Sequence, residues 1–593
     1  MSTAILTGPP APGSSLDDDL RSLGFDVRVA SGPEETGALL AAVPAAERVA
    51  LVDPRFVGHL HALRLALTDP RFPAAAAPGA LTAQREARPA LTRALAAATG
   101  ADDLTGTLAD ALDADGVPVH RPQLGTLVAT VPTDAAARHE ARAAVAAVDD
   151  EAVRLRSAVK AHDGFFTTFF ISPYSRYIAR WCARRGLTPN QVTTASLLTA
   201  LVAAGCAATG TRGGYVAAGV LLIVSFVLDC TDGQLARYAL QYSTMGAWLD
   251  ATFDRAKEYA FYAGLALGAA RDGDDVWALA LGAMVLMTCR HVVDFSFNEA
   301  NAATAGAAAK TGLALSSRLD AVGWTVWARR MIILPIGERW AMIAVLTALT
   351  SPRVVFWALI AGCAFGACYT TAGRLLRSLS RRGAGRTDRA ARALADLADS
   401  GPLAELVAKA GRRLPASAPL AALLGAALMI AGALLLPFGD PRLIAVAAGY
   451  AVLAGLAVAR PLKGALDWLV PPFFRAAEYT TVLVLAARSD VPHALPAAFG
   501  LVAAVAYHHY DTVYRIRGGT GAPPSWLVRV IGGHEGRTLL VAVLAALLAD
   551  RGDDFTPAVT ALAGAVALVV LVESIRFWVS SGAPAVHDEG ETA

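Results

Sequence analysis

The sequence predicts an α-helical integral membrane protein with about twelve transmembrane helices, six plus six, behind a cytosolic α/β domain. Composition is the first ground: of 593 residues, 55% are hydrophobic and only 17% charged, too apolar for an ordinary soluble assembly of domains. The second is that the apolarity is uneven, with long uncharged runs beginning only after about residue 165. The third is that these runs fall into two groups, with an arginine-rich stretch after the sixth. The 52 basic and 50 acidic residues leave a net charge of +2, which argues for neither a nucleic-acid partner nor an acidic tail. The six cysteines are scattered without CxxC pairs, so no disulfide framework or zinc site is expected.

Residues 1–160 read as the cytosolic domain. Charged residues recur every few positions, and no apolar run approaches the ~20 residues needed to cross a bilayer. The start lacks a basic segment and a long apolar segment, having Pro9, Pro10, Pro12 and Asp17-Asp18-Asp19 instead; the N-terminus is therefore expected in the cytosol. Short apolar strands (Ala4 to Thr7, Phe25 to Ala30, Arg48 to Val52) alternate with helical patterns (Leu16 to Leu23, Pro33 to Val43, Val57 to Leu67), a βαβαβ signature.

Beyond the domain, spans are expected to start near Thr188, Gly214, Gly246, Val276, Trp340 and Val354, then near Ala418, Arg442, Pro471, Leu495, Leu539 and Pro557. Arg176, Arg180, Arg184 and Arg185 precede the first span. Arg374, Arg377, Arg381, Arg382, Arg386, Arg389 and Arg392 follow the sixth. Both clusters belong on the cytoplasmic side, which makes Arg271 to Asp275 and Asp550 to Asp554 outer loops.

The segment richest in chemistry is Asp229-Cys-Thr-Asp232-Gly233-Gln-Leu-Ala236-Arg237, followed eight residues later by Gly246-Ala-Trp-Leu-Asp250-Ala-Thr-Phe-Asp254. On helices, Asp229 with Asp232 and Asp250 with Asp254 each share a face. Four carboxylates gathered at a membrane boundary repel one another unless oxygen-seeking divalent cations neutralise them. Gly233, Ala236 and Gly246 leave room for close approach, and Arg237 offers a fork suited to phosphate. Pairing of these acids with Arg237, Arg255 and Lys257 in a purely structural network is the bland alternative. It suits a single acid better than four in register.

The run matches D-x2-D-G-x2-A-R-x8-G-x3-D-x3-D, and the chain therefore resembles the CDP-alcohol phosphotransferase family over about residues 165 to 380. Thr188-Pro189-Asn190-Gln191-Val192-Thr193 is similar to that family's TPN-x-VT entry to its first helix. The resemblance implies two Mg²⁺ or Mn²⁺ ions held by Asp229, Asp232, Asp250 and Asp254, with Asp254 as general base beside Asp250. It further implies a CDP moiety bound by Asp229, Gly233, Ala236, Arg237 and Gly246, and a homodimer. Metal-bridged pyrophosphate and a carboxylate that takes the acceptor's proton fit these residue types independently. Arg255, Lys257, Glu258, Arg290, His291 and Asp294 are candidates for the acceptor or its phosphate; each alone serves equally as an ion-pair partner.

Val148 to Glu151, Lys160 to Phe166 and Ser172 to Arg176 resemble the junction of bifunctional inositol-phosphate cytidylyltransferase and di-inositol-phosphate phosphate synthase chains. The front domain is then nucleotidyltransferase-like. It is degenerate, because Thr7-Gly8-Pro9-Pro10-Ala11-Pro12-Gly13 replaces a glycine-rich phosphate loop and prolines remove its amide donors.

The last third, about residues 400–580, echoes the middle. Gly411 to Pro415 parallels Arg184 to Pro189, and Arg475-Ala-Ala-Glu478-Tyr479 parallels Arg255-Ala-Lys-Glu258-Tyr259. His508 to Asp511 parallels His291 to Asp294, and Trp526 with Glu535 and Arg537 parallels Trp327 with Glu338 and Arg339. The metal carboxylates are absent from this copy: Ala451 to Pro461 stands for the first signature half and Phe474 for Asp254. Its retained charges either pair with one another or line a pocket for a phosphate head group. The expected activity is metal-dependent transfer of a phospho-alcohol or phosphatidyl group from a CDP-linked donor to a hydroxyl of an inositol phosphate or lipid, with release of CMP. A transporter or flippase of a phospho-head-group compound, built from two six-helix halves, is the alternative. The expected location is the plasma membrane, with the active site cytoplasmic.

Overall fold

The computed structural model describes residues 2–98, 102–160, 163–320, 334–380, 386–414 and 416–580. Ala161 and His162 of the junction, Trp327 and Pro415 of the repeat, and Arg381 and Arg382 of the basic cluster lie outside the described residues.

The front domain is built on strands β1 (Ser2–Leu6), β2 (Phe25–Val29), β3 (Val49–Val52), β4 (Val57–Gly58), β5 (Ala74–Ala77), β6 (Ala80–Ala83), β7 (Val119–His120) and β8 (Ala129–Thr130). Helices α1 (Leu16–Ser22), α2 (Pro33–Ala42), α3 (Leu60–Leu67), α4 (Arg88–Ala97), α5 (Leu104–Ala114), α6 (Ala135–Ala146) and α7 (Asp150–Ser157) surround them. Six strands form one sheet in the order β2-β1-β3-β6-β5-β7. β1 lies parallel to β2 and β3, as the alternation of strands and helices requires, whereas β6 pairs antiparallel with β3 on one side and, through the tight Ala77 to Ala80 hairpin, with β5 on the other. The Val-Ala-Leu-Val run of β3 is wholly buried, the expected fate of an uninterrupted apolar strand covered on both faces. The helix expected from Val57 begins only at Leu60, because Val57 and Gly58 pair with Thr130 and Ala129 as β4.

The rest of the described chain is helical. The first group comprises α8 (Ser172–Arg184), α9 (Pro189–Ala208), α10 (Arg212–Ala239), α11 (Thr244–Arg271), α12 (Trp277–Asp320), α13 (Ile336–Leu349) and α14 (Pro352–Ser380). The second comprises α15 (Asp388–Ala398), α16 (Pro402–Gly411), α17 (Ala418–Leu435), α18 (Arg442–Ala457), α19 (Val470–Arg488), α20 (Ala494–Arg517), α21 (Ser525–Val530), α22 (Gly533–Leu548) and α23 (Phe555–Ser580). Among the described residues, seven spans are long and apolar enough to cross a membrane: α9, α10, α12 as far as Ala302, α14, α17, α21 with α22, and α23 with the turn before it. The chain is a multi-pass membrane protein.

The seven are fewer than the twelve expected, for two physical reasons. α11, α19 and α20 carry ionisable residues that pair inside the protein and lower their apolarity. α13 and α18 have 14 and 16 residues, short of the ~20 that span a bilayer unaided.

Small residues set the helix spacing in the first group. A Cβ on Gly264 would stand 2.4 Å from the carbonyl oxygen of Ala204, and one on Gly268 would stand 2.1 Å from that of Ala207. α9 and α11 therefore touch backbone to backbone, the close approach that replaces hydrophobic driving force inside lipid. One apolar core runs through both helical groups, joining Phe226 and Tyr262 to Phe474 and Val513.

Candidate functional site

Two helix ends and the loop between them build the site. α10 ends in a left-handed residue, Leu240, and α11 starts at Ser243, whose Oγ accepts from the Gly246 amide at 2.9 Å. The turn brings the third-last and second-last turns of α10 beside the second and third turns of α11. Carboxylate oxygens of Asp229, Asp250 and Asp254 consequently lie within 4.8 Å of one another. Asp232 stands apart from that group. It is 4% exposed, lies beside Thr193 of α9, and its Oδ2 is buried without a hydrogen-bond partner.

Lys257 stands among these acids rather than at an acceptor surface. Its ammonium donates to Asp229 Oδ1 and to Ser196 Oγ at 3.2 Å, and it forms an ion pair with Asp254 Oδ1 at 2.8 Å. One turn beyond Asp254 on the same face of α11, it has no other direction to point. A positive group thus already sits between two of the acids, which shows that the cluster accommodates cationic charge.

The glycines act through the space they leave. A Cβ on Gly246 would come within 2.8 Å of Asn190 Oδ1, and one on Gly233 would lie 3.4 Å from the Arg237 guanidinium. Asn190 belongs to the entry of α9, where Thr188 and Gln191 cap each other reciprocally. Asn190, Thr193 and Ser196 all face the signature from α9. Their spacing of about one turn along that helix was the signal available for them in the sequence.

Arg237 donates through Nε to the Ala158 carbonyl at 2.6 Å, so the end of the front domain touches the signature directly. Nearby, Arg154 donates to the Tyr238 carbonyl at 2.8 Å, Tyr238 Oη donates to Glu151 at 2.8 Å, and the Arg71 guanidinium lies 4.0 Å over the Tyr242 ring. The front domain therefore clamps the loop joining α10 to α11.

The remaining candidates are engaged with protein groups. Arg255 pairs with Glu258 at 2.9 Å and lies over the Tyr510 ring. Arg290 hydrogen-bonds Cys363, Asp294 pairs with Arg374, and His291 Nδ1 is 2.6 Å from Tyr510 Oη. Tyr510 comes from the second helical group and was not singled out in the sequence.

In the second group most of the retained charges pair with one another, whereas Glu535 accepts from the Gly401 and Ala404 amides and Arg517 reaches Glu299 of the first group at 3.8 Å. Arg475 reaches Asp399 at 2.9 Å and Glu478 at 2.8 Å; Arg537 reaches the same two acids at 2.8 and 2.5 Å. Arg515 pairs with Asp511 at 2.9 Å and Glu573 at 2.7 Å. Of the residues paired through Arg475, Arg515 and Arg537, all except Glu573 are at least 96% buried. Asp399, which no echo in the sequence had marked, is the hub.

Residues 186–368 match the CDP-alcohol phosphatidyltransferase family, and residues 388–593 match DUF5941, a family of unknown function. A phosphatidylinositol phosphate synthase of Streptomyces avermitilis is 35% identical over 131 residues, which cover 21% of this chain and 51% of the relative. A bifunctional IPC transferase and DIPP synthase of Aquifex aeolicus is 33% identical over 118 residues, 19% of this chain and 26% of the relative. An archaetidylinositol phosphate synthase of Pyrococcus horikoshii is 36% identical over 91 residues, 15% of this chain and 47% of the relative. The chain thus spans about half the length, or less, of the curated relatives it matches, and the match to the CDP-alcohol phosphatidyltransferase family lies at its centre, over residues 186–368.

Proposed function

We propose that this chain transfers a phosphate-linked group from a CDP-linked donor to an inositol phosphate acceptor and releases CMP at the cytoplasmic face of the plasma membrane. The observation that carries the reading is the meeting of Asp229, Asp250 and Asp254 within 4.8 Å, inside the segment that matches the family. Two of the three relatives above carry an inositol phosphate in their names, which is the support for the acceptor.

The donor set fits Mg²⁺ or Mn²⁺, two ions on this reading: it is all oxygen, it is crowded with like charge, and the Oδ2 of Asp232 is buried without a partner. Asp229, Asp232, Asp250 and Asp254 would hold the ions. Bound there, such ions neutralise the pyrophosphate and the leaving CMP. Arg237, fixed over Gly233, orients the diphosphate, and Gly246, held against Asn190 and Ser243, keeps the start of α11 close to α9 beside it. Asp254 accepts the proton of the attacking hydroxyl, which must enter close to its carboxylate for the transfer to be direct. Arg255, the residue after Asp254, and His291, on α12, face the acceptor side.

Purified full-length protein, supplied with inositol phosphate and either CDP-diacylglycerol or CDP-inositol, is expected to release CMP with one donor and to yield a product of matching mass. Chelation by EDTA should abolish release, and Mg²⁺ or Mn²⁺ should restore it. CMP release unaffected by chelation would remove the metals from the reading, and no release from either donor would remove the reaction.

The front domain serves on this reading as a degenerate nucleotidyltransferase retained for docking. Its loop after β1 carries three prolines, and its contacts go to the signature loop through Arg154 and Ala158. With CTP and inositol phosphate alone, the full-length chain is expected to form no CDP-linked product. Sustained pyrophosphate release under those conditions would show the domain to be an active enzyme.

A further inference from the structure

The two helical groups share more than sequence echoes. In the first, Arg255 Nη1 meets Glu258 Oε2 at 2.9 Å and Arg339 Nε meets Oε1 of the same glutamate at 3.2 Å. In the second, Arg475 Nη1 meets Glu478 Oε2 at 2.8 Å and Arg537 Nε meets its Oε1 at 2.5 Å. The same atoms form the same pairs. Glu338 accepts from the Phe166 amide ahead of α8, and Glu535 accepts from the Gly401 and Ala404 amides at the start of α16.

By these correspondences α19 answers to α11 and α20 to α12. The contacts between the groups are crossed: α11 packs on α20, and α12 packs on α19. Trp248, ahead of Arg255, stacks on Trp578 of α23, the last helix of the second group, at 5.9 Å. Trp468, at the same distance ahead of Arg475, donates its indole N–H to Ser378 of α14, the last helix of the first, at 3.0 Å. Reciprocal use of equivalent surfaces is what a two-fold axis produces and what a head-to-tail repeat does not.

One contact breaks the symmetry. Tyr510 is 3% exposed and projects from α20 into the first group, with its hydroxyl 2.6 Å from His291 Nδ1 and near the Tyr259 and Thr288 hydroxyls, which bond each other at 3.1 Å. Its ring lies 5.2 Å beneath the Arg255 guanidinium, beside Asp254. The residue before Asp294, which answers to Tyr510 before Asp511, is Val293, which cannot return the hydrogen bond. The polar contact therefore runs only toward the half that keeps the carboxylates.

We propose that residues 388–580 form a covalently attached pseudo-subunit, related to residues 163–380 by an approximate two-fold axis, and that Tyr510 is its positioning residue for Arg255 and His291 at the carboxylate site. The surface through which a single half would pair with a copy of itself is consumed within the chain, so the protein works as a monomer. The role of Tyr510 rests on the phosphotransferase reading; the pseudo-subunit does not.

Native mass spectrometry of the full chain released from nanodiscs is expected to show one chain per particle, and a stable two-chain particle would overturn the pseudo-subunit. Tyr510→Phe keeps the ring and removes the hydroxyl. It should raise the KM for inositol phosphate about tenfold, the worth of one buried hydrogen bond, while donor KM stays at the wild-type value and the thermal midpoint falls by no more than the few degrees that one such bond is worth. His291→Asn should do the same, and the double variant should lose no more than either single one. An unchanged acceptor KM in Tyr510→Phe, or losses that add in the double variant, would overturn the positioning role. If Tyr510→Phe does not fold, His291→Asn alone decides by the same change in KM. Should the wild-type chain release no CMP at all, the phosphotransferase reading falls, and the mass measurement still decides the pseudo-subunit.

Discussion

Asp254→Asn is expected to lower CMP release about 10³-fold, the loss of a positioned base together with weakened cation binding. The side chain keeps its shape, and Lys257 keeps its bond to Asp229, so expression and thermal midpoint should stay near wild type. Asp250→Asn should lose a similar factor through the cation alone, since its carboxylate shares the 4.8 Å cluster but is not assigned the proton. Release of CMP from labelled donor, measured beside Mn²⁺ binding by electron paramagnetic resonance, separates the two: both variants should bind Mn²⁺ more weakly. Full turnover in both would remove this cluster from the chemistry.

Arg537→Leu should be the most destabilising single change in the second helical group. It strips Asp399 and Glu478 of a shared buried partner, and removing one member of a buried ion network costs about 3–5 kcal/mol because it leaves charge uncompensated. Arg442→Ala is the matched control. Its pair with Asp440 leaves the arginine side chain 73% exposed, and such exposed pairs add little to stability. Thermal unfolding of the two variants in the same detergent should show a drop of several degrees for the first and little change for the second. Equal midpoints would mean that the buried network does not hold the second group together.

The site was legible in the sequence wherever chemistry depends on spacing along one helix. Asp229 and Asp232, or Asp250 and Asp254, can be placed on a common face by counting, because the helical period is fixed. Strands β1, β2 and β3 were legible to within a residue or two because each is a short apolar run between turn residues, whereas β4 to β8, each of two to four residues and mostly alanine-rich or without alternation, were not. The membrane spans were legible in part. α11, α19 and α20 bury their charges against partners far away in the chain, and a window of hydropathy counts those charges as if lipid had to dissolve them.

What the sequence by itself determined is the set of groups available to the reaction and the loss of that set from the second copy. Folding alone decided how they are used: that Lys257 lies between Asp229 and Asp254, that Asp232 stands outside their cluster, that Asp399 joins Arg475 to Arg537, and that Tyr510 reaches across to His291. Each of these contacts joins separate helices or chooses among the faces of one, and the choice is made by how small residues such as Gly264 and Gly268 let helices approach. Local spacing carries no record of that distance; packing sets it, and with it which charges meet.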